Sequence, residues 1–231
     1  MEQETRKKIQ ITGLFAHIGL ALSFLYTNFY FLRLPARTIP NDNSLLVSPA
    51  NGKVVAVRKF DLTAAPDPSE YITEQKDSPL TFPGAVRILA SDVAPTGYII
   101  SIALNLSNVH YQRAPAQSIV INKIYTPGSF NNALKMDGEN FFRYENEHNE
   151  ILLSDNAGGF KYKVVQIAGY LARRIEDYVT IGQQVEQGDV IGLINFGSQV
   201  TVLVPSSVNI LVKEGDILID GETPIASTTT S

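Results

Sequence analysis

Ser198 is the residue whose type and surroundings could do covalent chemistry. It follows Gly197 and precedes an alternating run, residues 199–205, that predicts a β-strand. Because glycine has no side chain and tolerates unusual backbone angles, the Ser198 hydroxyl would have clear access to the preceding carbonyl. The competing interpretation is a simple turn, since Gly-Ser is a common loop dipeptide. The choice depends on what else the chain contains.

The composition narrows the chemistry that is available. The 231 residues include no cysteine, which excludes disulfides, thiolate nucleophiles and cysteine-ligated metal sites. The three histidines, His17, His110 and His148, are too scattered to predict a metal site. A net charge of −4 offers no electrostatic footprint for nucleic acid. Covalent chemistry must therefore come from Ser, Thr, Lys, Tyr or a carboxylate.

The N-terminal segment predicts a membrane anchor over residues 1–33. Residues 9–32 contain no Asp, Glu, Lys or Arg, and these 24 residues exceed the roughly 20 that span a bilayer. Aromatic residues at the end of the segment suit the membrane interface. Polar residues within it leave a tilted or interfacial helix as an alternative. Basic residues on both sides leave the orientation open.

Residues 34–231 predict one mostly β domain (β-rich α+β), a barrel-sandwich-like arrangement of short strands with tight glycine turns. The main signal is an approximate internal repeat in which valines alternate with glycines, Val179-x-x-Gly182-x-x-Val185-x-x-Gly188 and Val212-x-x-Gly215-x-x-Leu218-x-x-Gly221. The same rhythm occurs in lipoyl- and biotinyl-carrier-like barrels. The lysine that such carriers modify is missing here, so the repeat indicates the fold and not the activity.

Local patterns predict the strands that would position Ser198. Two hairpins are expected, one pairing 45–49 with 53–57 around an Asn-Gly turn, the other pairing 151–154 with 160–167. Further strands are expected over 86–90, 98–106 and 119–125. The remaining stretches predict a surface loop over 61–83, a loop with a short helix over 132–149, and a helical turn at 169–174. His148, in one of these polar stretches, is expected at the surface or in loop packing.

Seven segments together resemble the short form of the phosphatidylserine decarboxylase family. They occur in the family's order and at compatible spacing, and they comprise residues 37–40, 47–55, 106–115, 125–130, 145–149, 165–175 and 196–198. The resemblance covers residues 34–226, and family members also carry an apolar N-terminus. They are membrane-associated enzymes that make their own pyruvoyl cofactor.

The resemblance implies that Ser198 attacks the Gly197 carbonyl and that a proenzyme cleaves itself between these residues. Residues 1–197 and 198–231 would then form a heterodimer, with Ser198 converted into a covalent pyruvoyl group. That group would condense with the substrate amine as a Schiff base and withdraw electrons for loss of CO2. The reaction would convert phosphatidylserine into phosphatidylethanolamine.

The resemblance also implies roles for five other residues. His110 would be the base that activates the Ser198 hydroxyl. Asn51 stands where the family has an aspartate that orients this histidine. Arg113, Arg173 and Arg174 would grip the phosphate or carboxylate of the substrate, because a guanidinium fork suits both. Solvated surface charge is the competing interpretation for the last two.

Asn51 is the main departure from the family pattern. Loss of the carboxylate can leave an imidazole in the wrong tautomer, and the equivalent exchange in a serine-protease triad costs about 10⁴ in rate. Self-cleavage is a single turnover, so a slow reaction could still finish. The alternative function is therefore an uncleaved, non-catalytic, membrane-anchored relative that binds lipid or serves as a scaffold.

The implied partners are a phospholipid substrate, a membrane and the two cleavage fragments themselves. A higher homo-oligomer is left open, and neither nucleic acid nor a metal is expected. The expected location is a bacterial-type cell membrane, with the catalytic domain on the cytoplasmic side.

Overall fold

The structure is a computed structural model that describes residues 2–63, 89–129, 146–169, 174–195 and 198–228. The chain divides into two compact units, Met1–Pro35 and Ala36–Ser231. The expectations for residues 64–83, for 132–145 and for most of 169–174 lie outside the described residues.

The first unit is helical. Helix α1 (Glu2–Leu25) continues into a π-helix (Tyr26–Phe31). The rings of Tyr26 and Tyr30 lie 5.5 Å apart, and the Arg33 guanidinium stands 4.2 Å from the Tyr30 ring centroid. Across the described residues, none of the helices has both the length and the hydropathy needed to cross a bilayer. The anchoring role of residues 1–33 stays a prediction.

The described residues of the second unit form fourteen strands. They are β1 (Leu45–Val47), β2 (Gly52–Asp61), β3 (Thr96–Leu104), β4 (Tyr111–Arg113), β5 (Ser118–Thr126), β6 (His148–Asp155), β7 (Lys161–Ala168), β8 (Ile175–Asp177), β9 (Gln184–Val185), β10 (Val190–Ile194), β11 (Ser198–Pro205), β12 (Val208–Ile210), β13 (Ile217–Leu218) and β14 (Pro224–Thr228). The mostly β class is confirmed.

Within the ranges that the structure describes, these strands form three sheets. The large sheet has the order β13-β2-β3-β11-β7-β6-β5-β9, the β10 sheet has the order β4-β10-β8, and the β14 sheet has the order β1-β14-β12. All four glycines of the repeat adopt positive φ angles, 87° at Gly182, 89° at Gly188, 94° at Gly215 and 74° at Gly221. The repeat therefore marks tight turns, as predicted.

Two apolar cores cover the two faces of the large sheet. The larger core joins alternate residues of the large sheet, such as Ile102 and Val200, with Ile191 of the β10 sheet and Ile225 of the β14 sheet. The smaller core lies on the other face, and Leu89 is one of its members. Because side chains alternate along a strand, Ser198 shares the face of Val200, between the large sheet and the β10 sheet.

Three of the local predictions are confirmed. The hairpin of β6 and β7 pairs antiparallel, with Ile151 opposite Val164. Strands β3 and β5 cover the ranges predicted for 98–106 and 119–125 to within two residues. The strand predicted at 86–90 is wrong where it is described, because Leu89 and Ala90 are helical.

The hairpin predicted around Asn51-Gly52 is wrong. Strand β1 pairs with β14, placing Leu45 opposite Ser227, while β2 pairs with β3. Gly52 does not form a hairpin turn. It allows β2 and β3 to approach closely, because a β-carbon at position 52 would lie 2.4 Å from the Ala103 carbonyl oxygen. Local turn chemistry was therefore overruled by pairing between distant segments.

Candidate functional site

Ser198 opens β11, a central strand of the large sheet. Its neighbours across the sheet are Leu104 of β3 and Ala168 of β7. The residue is completely buried, and its hydroxyl oxygen makes no hydrogen bond within the described ranges. A buried hydroxyl that lacks such a bond costs folding free energy and needs an explanation. Gly197 lies outside the described residues.

His110 follows the turn that ends β3, the strand paired with Ser198. Its imidazole is buried, and Nδ1 lies 3.0 Å from the carbonyl oxygen of Asn108. A carbonyl can only accept a hydrogen bond, so Nδ1 carries the proton in this arrangement. The neutral ring then keeps a lone pair on Nε2, which is the tautomer that a general base requires.

The backbone of His110 also touches the strand that leads to Ser198. Its carbonyl oxygen accepts a hydrogen bond from the Ile194 amide at 3.2 Å. Ile194 ends β10, and residues 195–197 connect β10 to β11. The segment that carries His110 therefore contacts both ends of the connection formed by residues 195–197. It binds Ile194 before the connection, and it follows β3, which pairs with β11 after the connection.

Asn51 reaches His110 through Asn108. The Asn108 side-chain amide donates to Asn51 Oδ1 at 2.7 Å, and its own oxygen accepts from the Asn105 backbone amide at 2.8 Å. The Asn108 carbonyl is the group that holds His110 Nδ1. Asn51 therefore contacts the turn whose Asn108 carbonyl lies against the imidazole, and its role in self-cleavage stays a prediction.

Asn146 and Glu147 bind the strand residue that lies opposite Ser198. Asn146 donates its side-chain amide to the Ala168 carbonyl at 2.7 Å, and the Ala168 amide donates to the Glu147 carbonyl at 2.9 Å. Ala168 is the residue opposite Ser198 in the sheet. The prediction that His148 lies at the surface or in a loop is wrong, because it opens β6 and is 1% exposed.

His148 heads a buried ionic chain. Its Nδ1 lies 2.8 Å from the Asn146 carbonyl, and its Nε2 lies 3.7 Å from Glu150 Oε1. Glu150 Oε2 accepts from the buried Lys163 ammonium at 2.7 Å, and Lys163 also binds Asp92 at 2.8 Å. Burial alone raises the pKa of the Glu150 carboxyl, but hydrogen bonds and charge from His148 and Lys163 together hold that pKa below its ordinary value.

Residues 148, 150 and 152 alternate along β6 and share one face of the strand. This spacing could have revealed the buried ionic chain that begins at His148. The odd-numbered neighbours of these residues face the opposite core, which is the pattern of a strand buried on both faces. The polarity of the segment concealed the strand. In the part of the chain that the structure describes, no group of three or more His, Cys, Asp or Glu side chains is placed to hold a metal ion.

The predicted substrate arginines occupy different environments. Arg113 is buried, with Nε 2.9 Å from Asp220 Oδ2 and Nη1 2.8 Å from the Gly188 carbonyl. Arg37 binds the other oxygen of the same carboxylate at 2.5 Å. These contacts favour a structural role for Arg113, and its contact with substrate stays a prediction.

Arg174 lies in a different setting from Arg113. Its side chain is 76% exposed, and its carbonyl accepts from the Asn195 amide, three residues before Ser198. Its Nε lies 3.6 Å from Glu176 Oε1, and an anionic ligand would have to share or replace this exposed ion pair. Arg173 lies outside the described residues.

Comparison with known proteins places this geometry in context. The family model described as Phosphatidylserine decarboxylase matches residues 25–226. A similar protein of Desulfotalea psychrophila is 34% identical over 194 residues, covering 84% of this chain and 76% of its own length. One of Geotalea uraniireducens is 33% identical over 216 residues, covering 92% and 86%. One of Rickettsia rickettsii is 35% identical over 197 residues, covering 85% and 73%. All three are named phosphatidylserine decarboxylase proenzyme.

Proposed function

Because the chain belongs to the phosphatidylserine decarboxylase family, we propose that it cuts its own backbone between Gly197 and Ser198. We propose further that the cleaved protein decarboxylates phosphatidylserine to phosphatidylethanolamine. The observation that carries the proposal is the buried Ser198 hydroxyl, which makes no hydrogen bond to the described residues. Such a hydroxyl has no structural partner to lose when it reacts.

The first step is an acyl shift from nitrogen to oxygen. His110 Nε2 takes the hydroxyl proton while Ser198 Oγ bonds to the Gly197 carbonyl carbon. The peptide C–N bond then breaks, its nitrogen takes the proton back, and an ester joins the two fragments. The tautomer held by the Asn108 carbonyl leaves Nε2 unprotonated for this task.

The second step separates the fragments. A base removes the Ser198 α-proton, the Cβ–Oγ bond breaks, and residues 1–197 leave with a new carboxylate. Residue 198 is left as an unsaturated enamine, which water hydrolyses to ammonia and a pyruvoyl group. The candidate for this base is His110, whose Nε2 returns its proton to the peptide nitrogen in the first step and is then free to accept another.

Ser198 would hold the pyruvoyl group covalently, and its surroundings fit such a group. The position is fully buried between Leu104 and Ala168, so the carbonyl of the group would lie in a low-dielectric setting where electrostatic interactions are strong. The pyruvoyl group supplies an electron-withdrawing carbonyl for the loss of CO2. The exposed Arg174 side chain is suited to bind the substrate phosphate or carboxylate.

The two fragments are expected to stay together as a heterodimer. Strand β11 of the small fragment lies between β3 and β7 of the large fragment, and all eight of its residues are buried. Asp220 of the small fragment is clamped by Arg37 and Arg113 of the large one. Cleavage therefore breaks one covalent bond and leaves these non-covalent contacts in place.

We propose a membrane location, which the lipid substrate and the exposed apolar side chains of the first unit support. Phe15, Leu20 and Phe24 of α1 are 68%, 70% and 62% exposed, and the aromatic residues after them suit a membrane interface. Residues 1–33 would hold the enzyme at the cell membrane, with residues 34–231 on the cytoplasmic side. Flotation with anionic phospholipid vesicles tests this, because a variant lacking residues 1–33 should lose most of the binding.

The competing function is an uncleaved lipid-binding scaffold, and the presence of Asn51 in place of an aspartate favours it. A denaturing gel with a decarboxylation assay on phosphatidylserine micelles separates the two. The proposal predicts two bands and phosphatidylethanolamine for the wild type, and a single inactive band for Ser198→Ala. Lipid binding by a full-length band with no product would support the scaffold.

A further inference from the structure

Three buried amide side chains form a continuous hydrogen-bonded chain next to the site. Asn149 donates to Gln166 Oε1 at 2.9 Å, Gln166 donates to Gln112 Oε1 at 2.8 Å, and Gln112 donates to the His110 carbonyl at 2.6 Å. Gln112 and Gln166 are completely buried, and Asn149 is 2% exposed. We call Asn149, Gln166 and Gln112 the amide chain.

The direction of the amide chain is determined at the His110 end. The His110 carbonyl can only accept, so Gln112 must present its NH2 group there and its oxygen towards Gln166. Gln166 must then donate to Gln112, which turns its own oxygen towards the Asn149 amide. Each group has one compatible orientation, so the chain defines a single geometry.

The amide chain joins two different sheets. Asn149 and Gln166 belong to β6 and β7 of the large sheet, whereas Gln112 belongs to β4 of the β10 sheet. Gln166 also lies 3.4 Å from the Glu176 carbonyl of β8, the other edge of the β10 sheet.

Gly192 of β10, opposite Gln112, makes room for this crossing. A β-carbon at position 192 would lie 2.5 Å from the Gln166 side-chain nitrogen. The glycine and the glutamine therefore fit each other, and the sheets approach closely at the point where the amide chain passes between them.

The amide chain ends at the point where the relative placement of the two sheets matters for self-cleavage. Its last bond reaches the His110 carbonyl, which also accepts from Ile194, and Ile194 precedes the connection to Ser198. Ser198 lies on the large sheet, whereas His110 lies in the segment that joins β3 of that sheet to β4 of the β10 sheet. The distance between nucleophile and base thus depends on how the sheets are joined.

We infer that the amide chain positions His110 against Ser198, and that Gln112 and Gln166 are positioning residues for self-cleavage. The inference rests on the proposed function. Gln112→Leu and Gln166→Leu keep roughly the side-chain volume but remove the hydrogen bonds of the amide chain. Self-cleavage should therefore slow by about 10- to 100-fold, because small misplacements of reacting groups cost this much in rate.

Tyr162→Phe is the matched control. Tyr162 is buried on β7 near the strand end away from Ala168, and its hydroxyl bonds Ser118 at 2.8 Å. Its loss also removes a buried hydrogen bond, so its melting temperature should fall, while its cleavage rate stays within about twofold of wild type. If Gln112→Leu slows cleavage no more than Tyr162→Phe at comparable stability, the inference is wrong.

Gln112→Glu separates positioning from packing. The glutamate matches Gln112 in shape, but an ionised carboxylate cannot donate to the His110 carbonyl, whereas the protonated acid can. Burial favours the protonated form. The ratio of Gln112→Glu to wild-type cleavage rates should therefore rise at least fivefold as pH falls from about 8 to 5. A Gln112→Glu variant that cleaves as slowly as Gln112→Leu at pH 5, where the protonated acid can donate, contradicts the inference.

A measurement that needs no cleavage keeps this inference apart from the proposed function. In a Ser198→Ala background, adding Gln112→Leu should speed hydrogen exchange of the Ile194 amide about tenfold relative to adding Tyr162→Phe. If the wild type never cleaves, the proposed function is wrong, and the hydrogen-exchange comparison still tests the positioning role. Equal Ile194 exchange in the two variants would overturn the positioning role itself.

Discussion

Asn51→Asp is expected to speed self-cleavage about tenfold. Asn51 Oδ1 accepts from the Asn108 side-chain amide at 2.7 Å, and an aspartate oxygen can accept the same hydrogen bond. The exchange therefore keeps the geometry and adds one negative charge near His110. That charge stabilises the imidazolium that forms when His110 takes the Ser198 proton.

The magnitude follows from the path between the two residues. Asn108 joins the two residues, with its side-chain amide on Asn51 and its backbone carbonyl on His110. A charge about 7 Å from the imidazole, at an effective dielectric constant of about 20, gives about 2 kcal/mol. Position 51 is partly exposed, and screening leaves roughly half to two thirds of this, or about tenfold in rate. The loss of about 10⁴ seen in protease triads does not apply, because the Asn108 carbonyl holds His110 Nδ1.

Cleavage is best followed by gel in a cell-free translation reaction, after synthesis is stopped. Asn51→Ala is the control, since it removes the acceptor for Asn108 and should slow the reaction. Two results would refute the reasoning. A change below twofold for Asn51→Asp would mean that the charge does not reach the imidazole, and an acceleration near 10⁴ would mean that a carboxylate governs the tautomer.

Three further substitutions test other contacts. Arg174→Ala should raise KM for phosphatidylserine about tenfold without slowing self-cleavage; equal KM values would remove Arg174 from the substrate site. Asp220→Asn should lower the free energy of unfolding in urea by about 3 kcal/mol, because Arg113 loses its counter-charge; an unchanged midpoint contradicts this. The lowered pKa of Glu150 means that its stabilisation is present at neutral pH and lost on acidification. The stability gap between wild type and Glu150→Gln should therefore shrink below pH 4.5, the ordinary value, and a constant gap would argue against the Lys163 pairing.

Several parts of the fold could be predicted because residues close together in the sequence determine them. The β6–β7 hairpin follows from alternation around a glycine-containing turn. The repeat glycines follow from spacing, since each occupies a positive-φ position. The start of the β11 strand at Ser198 was likewise visible, because an alternating run follows the Gly-Ser pair.

The remaining features depend on segments that lie far apart in the sequence. Strand β1 pairs with β14 across almost the whole chain, so the Asn-Gly signal near β1 suggested the wrong partner. The ion pair of Arg113 with Asp220 joins residues 107 positions apart, so no local pattern could reveal it. The amide chain could not be predicted from local sequence, because residue type alone does not show whether a glutamine side chain is buried or exposed.

Intact-mass measurement of the purified wild-type protein tests the central claim most directly. Self-cleavage predicts a fragment of residues 1–197 ending in a free carboxylate and a 34-residue fragment whose first residue lacks an amino group. Ser198→Ala should give one full-length mass. A single full-length mass for the wild type after prolonged incubation would contradict the account, and so would a small fragment that begins with an unmodified serine.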